Sequence, residues 1–268
     1  MLCFIYRMTF ETHLTPEDTT TYFTLLTALE KKLSDVCFVG DPHGHYAHII
    51  DELLVRQARE AIFLGDFFSD KTTRELSLLK SLFAKIEDMG IEVKFINGNH
   101  DHHNSETANF FERDVSSRNL HGRVVTCGIS DVTIGGLGGI FFGKIWAPKN
   151  SLDAAKGCIN RSEALAKTPE NERIHGGLPL KKRYAIYPEE YDTLSQASAD
   201  VLVCHEAPSY TAKGFRGIDL LAERLGAKLI VHGHLHNNEI ALSENSQTAV
   251  RSLAEAQVWS IQDDLKTL

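Results

Sequence analysis

The chain has 268 residues, of which 43% are hydrophobic, and this is enough to build one large α/β domain around its own core. It has 28 basic and 36 acidic residues, and the resulting net charge of -8 has the wrong sign for a protein that binds nucleic acid nonspecifically. Five scattered cysteines form no Cys-x-x-Cys pair, which argues against a disulfide framework or zinc knuckle and indicates a reducing compartment.

The N-terminal residues contain no targeting or membrane signal that we can recognise. Met1–Phe10 has no continuous apolar run, so a signal peptide or a membrane span is not expected, and a cytoplasmic location is predicted. Leucines at helical spacing predict a helix over Pro16–Leu33, with Thr15 as its start signal. This helix precedes the region that carries the motifs.

Three apolar runs in the first half of the chain predict buried strands that end in polar residues. They are Val36–Gly40 before Asp41, Ala61–Gly65 before Asp66, and Val93–Ile96 before Asn97–His100. Helices are predicted between them, over Ala47–Arg59 and Thr72–Met89. This alternation predicts a partly parallel sheet, and such sheets collect ligands at the carboxyl ends of their strands.

The second half of the chain repeats this pattern after two intervening segments. The glycine-rich stretch around Val124–Gly139 predicts two strands and a tight turn rather than a dinucleotide-binding loop. Residues from about 141 to 185 predict a long insertion beside these strand ends, and its cations are suited to contact a phosphate or another anionic group of a ligand. Further elements are predicted as strands at Val201–Cys204, Lys228–Val231 and within Glu239–Gln262, and as a helix at Gly217–Leu225 that stops at Gly226.

The polar residues at these strand ends have the chemistry of metal ligands. Asp41 and His43 are two residues apart and can bind one ion, and Asp66 has two oxygens, so it can bridge two ions. The remaining donors are one amide and three imidazoles, those of Asn99, His205, His234 and His236. Mixed oxygen and nitrogen donors suit Mn, Fe, Zn or Ni better than Ca or Mg. We expect two divalent ions, with Mn first among these.

The motifs resemble those of the calcineurin-like metallophosphoesterase superfamily. Five blocks match in order, namely Asp41-Pro42-His43, Gly65-Asp66, Gly98-Asn99-His100-Asp101, His205 and Gly233-His234-Leu235-His236. The resemblance implies an α/β fold of four layers, an α/β/β/α sandwich of two mixed sheets flanked by helices. It also implies one ion held by Asp41, His43, Asp66 and His236, and a second held by Asp66, Asn99, His205 and His234.

The same resemblance assigns roles beyond metal binding. It implies that His100 donates a proton to the leaving oxygen or stabilises charge in the transition state, with Asp101 orienting it. A binuclear centre activates hydroxide near neutral pH, so attack of a metal-bridging hydroxide on the phosphorus is expected. His45 and His102 are weaker candidates for substrate binding because they follow ligand clusters.

The predicted substrate is a small phosphomonoester or phosphodiester. Protein phosphatases of the superfamily continue the second block with an arginine, whereas Phe67-Phe68 stands here. A nuclease of the same superfamily and a non-catalytic metal-binding scaffold remain alternatives, although the acidic charge does not favour nucleic acid and no ligand position is missing. A metallo-β-lactamase-like hydrolase is not expected, because the chain lacks a His-x-His-x-Asp-His run.

These observations predict one catalytic domain with short flanking segments. Residues 1–35 form an N-terminal extension with one helix, 36–262 the metallophosphoesterase domain, and 263–268 a C-terminal tail. No membrane partner is expected, and the sequence does not indicate an oligomeric state.

Overall fold

The computed structural model describes residues 11–12, 14–69, 74–245 and 247–267. The sequence predictions for Met1–Phe10 and for the helix start at Thr72 concern residues outside these ranges.

The described residues form strands and helices that alternate through the first half of the chain. The strands are β1 (Glu11–Thr12), β2 (Val36–Val39), β3 (Glu60–Phe63), β4 (Glu92–Phe95), β5 (Arg123–Cys127), β6 (Val132–Leu137), β7 (Val201–Cys204), β8 (Leu229–His232), β9 (Glu239–Leu242), β10 (Ala249–Ser252) and β11 (Val258–Trp259). The α-helices are α1 (Pro16–Leu29), α2 (Ile49–Val55), α3 (Arg74–Asp88), α4 (Ser105–Asn109), α5 (Arg161–Ala166), α6 (Leu180–Arg183), α7 (Pro188–Leu194), α8 (Arg216–Leu225) and α9 (Ile261–Leu265). A π-helical turn at Phe110–Asp114 continues α4.

Two mixed sheets organise the fold. The larger has seven strands in the order β1-β9-β10-β8-β7-β6-β5, and the smaller has four in the order β11-β2-β3-β4. The strands β2, β3 and β4 are parallel, and so are β6, β7 and β8. Each sheet therefore has one edge at which the carboxyl ends of several strands meet.

The alternation of side chains along the strands explains why the sheets stack. Val36 and Phe38 of β2 join a core between the two sheets, whereas Cys37 and Val39 join a core beneath the outer helices. Strand β7 divides in the same way, with Val201 and Val203 towards the other sheet. Three apolar cores thus separate four layers, and the predicted α/β/β/α sandwich is confirmed.

An aromatic cluster in the core of the smaller sheet fixes the loop that follows β3. The ring of Phe67, next to Asp66, lies with its centroid 5.2 Å from that of Phe111 and 5.5 Å from that of Phe63. Phe67 is fully buried, and such burial contributes about 1.5–3 kcal/mol. The position of Asp66 is therefore anchored by the packing of its neighbour.

The N-terminal helix and the C-terminal segment meet at a buried carboxylate. Asp264 accepts hydrogen bonds from the Tyr22 hydroxyl at 2.8 Å and from the Trp259 indole at 3.0 Å, and Nε of Arg251 lies 3.2 Å from it. Helix α1 therefore packs into the core between the sheets rather than standing apart. The division into an extension, a domain and a tail stays a prediction.

Several boundaries differ from the sequence prediction, and helix α2, for example, spans Ile49–Val55 where Ala47–Arg59 was expected. Helix α1 ends at Leu29 instead of Leu33, although Leu33 is still buried. The expected strand around Val258–Ile261 stops at Trp259, because Ser260 and Asp263 form a capping box that starts α9. In the described part of the chain no helix is both long and apolar enough to cross a membrane. Cys37, Cys127, Cys158 and Cys204 are buried and unbridged.

Candidate metal centre

The predicted donors converge where the carboxyl ends of both sheets meet. Asp41, Asp66 and Asn99 follow the three parallel strands β2, β3 and β4, and His205 and His234 follow β7 and β8. They form two groups whose ligand atoms lie within 4.8 Å of one another. One group contains Asp41, His43, Asp66 and His236, and the other contains Asp66, His205 and His234. Asp66 belongs to both groups, as a bridging carboxylate would.

Backbone carbonyls fix the orientation of two of the imidazoles. Nδ1 of His43 lies 3.0 Å from the carbonyl oxygen of Phe68, and Nδ1 of His205 lies 2.8 Å from that of Leu64. A carbonyl only accepts, so each Nδ1 carries the proton and each Nε2 faces the donor groups. Both rings are thus oriented as metal ligands.

Potential ligand atoms lie close to one another in the centre. Nε2 of His43 lies 3.1 Å from Nε2 of His236, and Nε2 of His205 lies 3.2 Å from Oδ1 of Asn99. Oδ1 of Asp41 is buried and has no hydrogen bond. A buried oxygen of this kind is costly unless a cation compensates it. The donor set therefore fits divalent ions.

Four of the donor residues have left-handed backbone. The φ angles are +43° at His43, +50° at Asp66, +66° at His234 and +55° at His236. Residues with a Cβ avoid this region, at a cost of about 1–3 kcal/mol each, and they concentrate at functional sites. The surrounding fold therefore imposes this arrangement on the ligands.

The glycines of two motifs provide space for the carboxylates. A Cβ at Gly98 would lie 2.1 Å from Oδ1 of Asp66 and 2.6 Å from Cε1 of His205. A Cβ at Gly233 would lie 2.1 Å from Oδ1 of Asp41. Both positions therefore require glycine because side chains of the centre contact the backbone closely.

Opposite charges compensate each other in the protein without ions. Burial alone would lower the pKa of His205, but Asp66 and then Asp41 raise it to about 10. Burial would raise the pKa of Asp66, yet His205 and the backbone N–H of His100 hold it well below its usual range. Burial and the charge of His205 lower the pKa of His234 to about 4. The protonated imidazole of His205 thus supplies the positive charge that a bound cation would otherwise supply to the carboxylates.

His100 and Asp101 lie beside the centre with different surroundings. The backbone N–H of His100 donates to Oδ1 of Asp66 at 2.7 Å, and its half-buried ring packs edge-on, 5.2 Å from that of His43. Asp101 accepts from the backbone N–H groups of Asp66, Phe67 and Gly98 at 3.1, 2.7 and 2.6 Å. These bonds join Asp101 to the two motif loops, and its expected role of orienting His100 stays a prediction.

The two weaker candidates for substrate binding occupy different environments. His45 is 67% exposed, and its Nε2 lies 3.3 Å from Oε1 of Glu255. His102 is almost completely buried and lines a cavity next to the centre. Burial, with the charges of Arg161 and Arg183, lowers its pKa to about 3, so the ring is neutral.

Two glutamates near the centre were missed by the sequence reasoning. Oε2 of Glu255 lies 3.8 Å from Nδ1 of His236, the distant nitrogen that a carboxylate often orients in metal-binding histidines. Oε2 of Glu206 lies 3.9 Å from Nε2 of His234, and burial raises the pKa of Glu206 to about 7. Glu206 directly follows His205 and could have been noticed for that reason, whereas Glu255 is far from every motif in the sequence.

A family model described as calcineurin-like phosphoesterase matches residues 35–238. The chain belongs to the calcineurin-like phosphoesterase family. This finding confirms the resemblance of the motifs and agrees with a hydrolase whose Asp and His groups could hold metal.

The similarity to other proteins covers most of the chain. An uncharacterized protein of Haemophilus influenzae is 37% identical over 233 residues, which are 83% of this chain and 94% of that protein. The crystal structure of TT1561 of Thermus thermophilus has a TM-score of 0.50 at 11% identity and covers 85% of this chain and 94% of its own, so it supports the fold alone. A phosphopantetheinyl hydrolase from Mycobacterium tuberculosis has a TM-score of 0.45 at 14% identity and covers 83% and 90% of the two chains.

Proposed function

We propose that this chain is a binuclear metal-dependent phosphoesterase that hydrolyses a small phosphomonoester or phosphodiester. The observation that carries the proposal is the pair of donor groups that share Asp66. A carboxylate common to two groups is what two adjacent ions require, and two ions together bind and polarise a phosphoryl group.

One ion would be held by Asp41, His43, Asp66 and His236, and the other by Asp66, Asn99, His205 and His234. Asn99 is assigned because its Oδ1 lies 3.2 Å from Nε2 of His205. When bound, the ions neutralise phosphoryl charge and make water a stronger nucleophile. Manganese is the first choice because the donors mix imidazole nitrogen with carboxylate and amide oxygen.

The protein's own groups prepare this centre. The hydrogen bonds from His43 and His205 to the Phe68 and Leu64 carbonyls keep both Nε2 atoms directed inwards. Asp101 joins the loops that carry Asp66 and Gly98, so we assign it a positioning role. Preorganised donors lose little entropy when ligand binds.

His100 is the group that we assign to the leaving oxygen. Its ring is half-buried beside His43, so it can contact substrate and exchange protons with water. An imidazole can donate a proton near neutral pH, and assistance of this kind contributes about 10²–10⁴-fold to a rate. His100 is kept outside the metal ligands because it is absent from both donor groups in the described part of the chain.

The test is hydrolysis of p-nitrophenyl phosphate and bis-p-nitrophenyl phosphate with added Mn²⁺. We expect manganese-dependent release of nitrophenol, and the preferred substrate separates monoesterase from diesterase activity. Asp66→Ala and Asn99→Ala should abolish turnover and reduce bound manganese. Asp88→Ala removes an exposed carboxylate at the end of α3 and should leave both unchanged. Full activity in both ligand variants would refute the proposal.

A further inference from the structure

A cavity of about 750 Å³ lies next to the candidate metal centre. One wall contains Asn97 and His102, which flank the Gly98–Asp101 motif. The lining also contains Arg161, at the start of α5, and Arg183 and Tyr184, near the end of the long insertion. Its volume is that of a site for a small molecule, and it would not admit a folded protein or a duplex.

Backbone hydrogen bonds tie this cavity to the metal-binding loops. The carbonyl oxygen of Asn97 accepts from the N–H of Gly139 at 2.5 Å, and that of Tyr184 accepts from the N–H of Ile140 at 3.0 Å. Asn97 directly precedes the Gly98–Asp101 motif and His102 directly follows it, so the cavity borders the loop that carries the candidate ligand Asn99.

Protein contacts hold the arginines of the cavity in place. Nε of Arg161 donates to Glu190 at 2.5 Å, and its Nη1 donates to the carbonyl oxygen of Arg183 at 2.7 Å. Nε of Arg183 donates to the carbonyl oxygen of Leu178 at 2.9 Å. Among the described residues, these bonds of Arg161 use Nε and Nη1 and leave its Nη2 for a ligand.

The cavity is more basic than the protein as a whole. Arg113, Arg161 and Arg183 line it, against Glu112 in the lining and Glu190 behind Arg161. Three further polar atoms of lining residues, Nδ2 of Asn97 and Nδ1 of His102 and His121, are buried and have no hydrogen-bond partner among the described residues. A basic, polar cavity in a chain of net charge -8 is suited to an anionic group.

We propose that this cavity binds a second anionic group of the substrate, a carboxylate or a phosphate, while the ester phosphate lies at the metal centre. This inference rests on the proposed function and narrows its substrate class to compact phosphoesters that carry another oxyanion. Arg161 contacts this group, and the charge of Arg113, an exposed residue of the lining, adds to the attraction.

The test compares ligands that differ only in the second anion. Inhibition constants are measured against hydrolysis of the nitrophenyl ester. The carboxylate arm compares 3-phosphoglycerate with glycerol 3-phosphate, and the phosphate arm compares glucose 1,6-bisphosphate with glucose 6-phosphate. This readout works for a monoesterase and a diesterase alike. We expect the ligand with two anions to bind at least about tenfold more tightly in one arm, which also identifies the preferred anion.

The variants distinguish binding of the second anion in the cavity from an effect of the protein's overall charge on the affinity for anions. Arg161→Gln should reduce the preference to less than about threefold, and Arg113→Gln should reduce it in part without any risk to folding. Lys181→Gln makes the same charge change two residues from Arg183 at an exposed position outside the cavity lining and should keep the full preference.

If the wild-type protein bound both members of each pair equally tightly, the inference about the cavity would be overturned. Release of nitrophenol in the same experiment would still support the proposed function. If no ester were hydrolysed, the proposed function would fail, and calorimetric binding of the same four ligands would still decide the role of the cavity. A preference that Arg161→Gln leaves unchanged would also overturn it.

Discussion

Replacing Gly98 with alanine should damage the metal centre with a single methyl group. The new Cβ would lie 2.1 Å from Oδ1 of Asp66, whereas ordinary contacts begin at 3.4 Å, so about 1.3 Å of movement is required. The obstacles are a buried carboxylate and the buried ring of His205, neither of which can move into free space. A misplacement of about 1 Å costs roughly 100-fold in rate, and overpacking costs about 1–3 kcal/mol in folding stability.

The assay for Gly98→Ala combines calorimetric titration with Mn²⁺ and turnover of the nitrophenyl ester. We expect manganese affinity to fall at least tenfold and kcat roughly 100-fold, with a cooperative unfolding transition retained. Gly143→Ala is the matched control, because nothing lies within 4 Å of its Cβ. If Gly98→Ala kept wild-type manganese affinity and turnover, the positions of Asp66 and His205 would not matter for metal binding. The proposed centre would then have to be abandoned.

Three other changes test separate parts of the reasoning. His100→Ala should keep both metals, measured by metal analysis, while kcat falls about 100-fold because proton donation is lost; a parallel loss of metal would contradict its assigned role. Asp101→Asn should lower the unfolding temperature and the manganese affinity together, because the amide cannot accept all three backbone bonds; a pure kcat defect resembling that of His100→Ala would instead favour orientation of the ring. Glu190→Gln should destabilise the fold by roughly 1–3 kcal/mol at pH 7. Burial opposes ionisation of this carboxyl, but His121 and Arg161 lower its pKa from 4.5 to about 2. The folded pKa lies below the unfolded one, so the stabilisation is complete above about pH 4.5 and is lost as the pH falls towards 2. Urea unfolding at pH 7 and pH 3 should show the difference between Glu190→Gln and wild type shrinking in acid, and a constant difference would contradict this explanation.

The strand ends were the most predictable part of the molecule. Apolar runs such as Val36–Val39 and Val201–Cys204 are short, β-branched and bounded by polar residues, so local sequence is enough to define them. Parallel strands then place their carboxyl ends at one edge, which is why Asp41 and Asp66 could be expected together. The insertion was less predictable, because its short helices are stabilised by contacts such as that of Arg161 with Glu190.

Details of the site that depend on distant contacts could not be deduced from sequence. The resemblance of the motifs gave Asp101 only a role towards His100, and the sequence did not show that the fold also brings three backbone amides to this carboxylate. Glu255 approaches His236 from a loop that contains no motif. The left-handed backbone at His43 was also hidden, because only the closing of the surrounding loops imposes it.

This backbone conformation at His43, Asp66, His234 and His236 also matters for engineering. Glycine or asparagine at His43, His234 or His236 would relieve the backbone strain there, so a screen for heat resistance alone can select replacements that remove a candidate ligand. Selection for stability alone would therefore act against the candidate metal ligands, unless each round also required turnover.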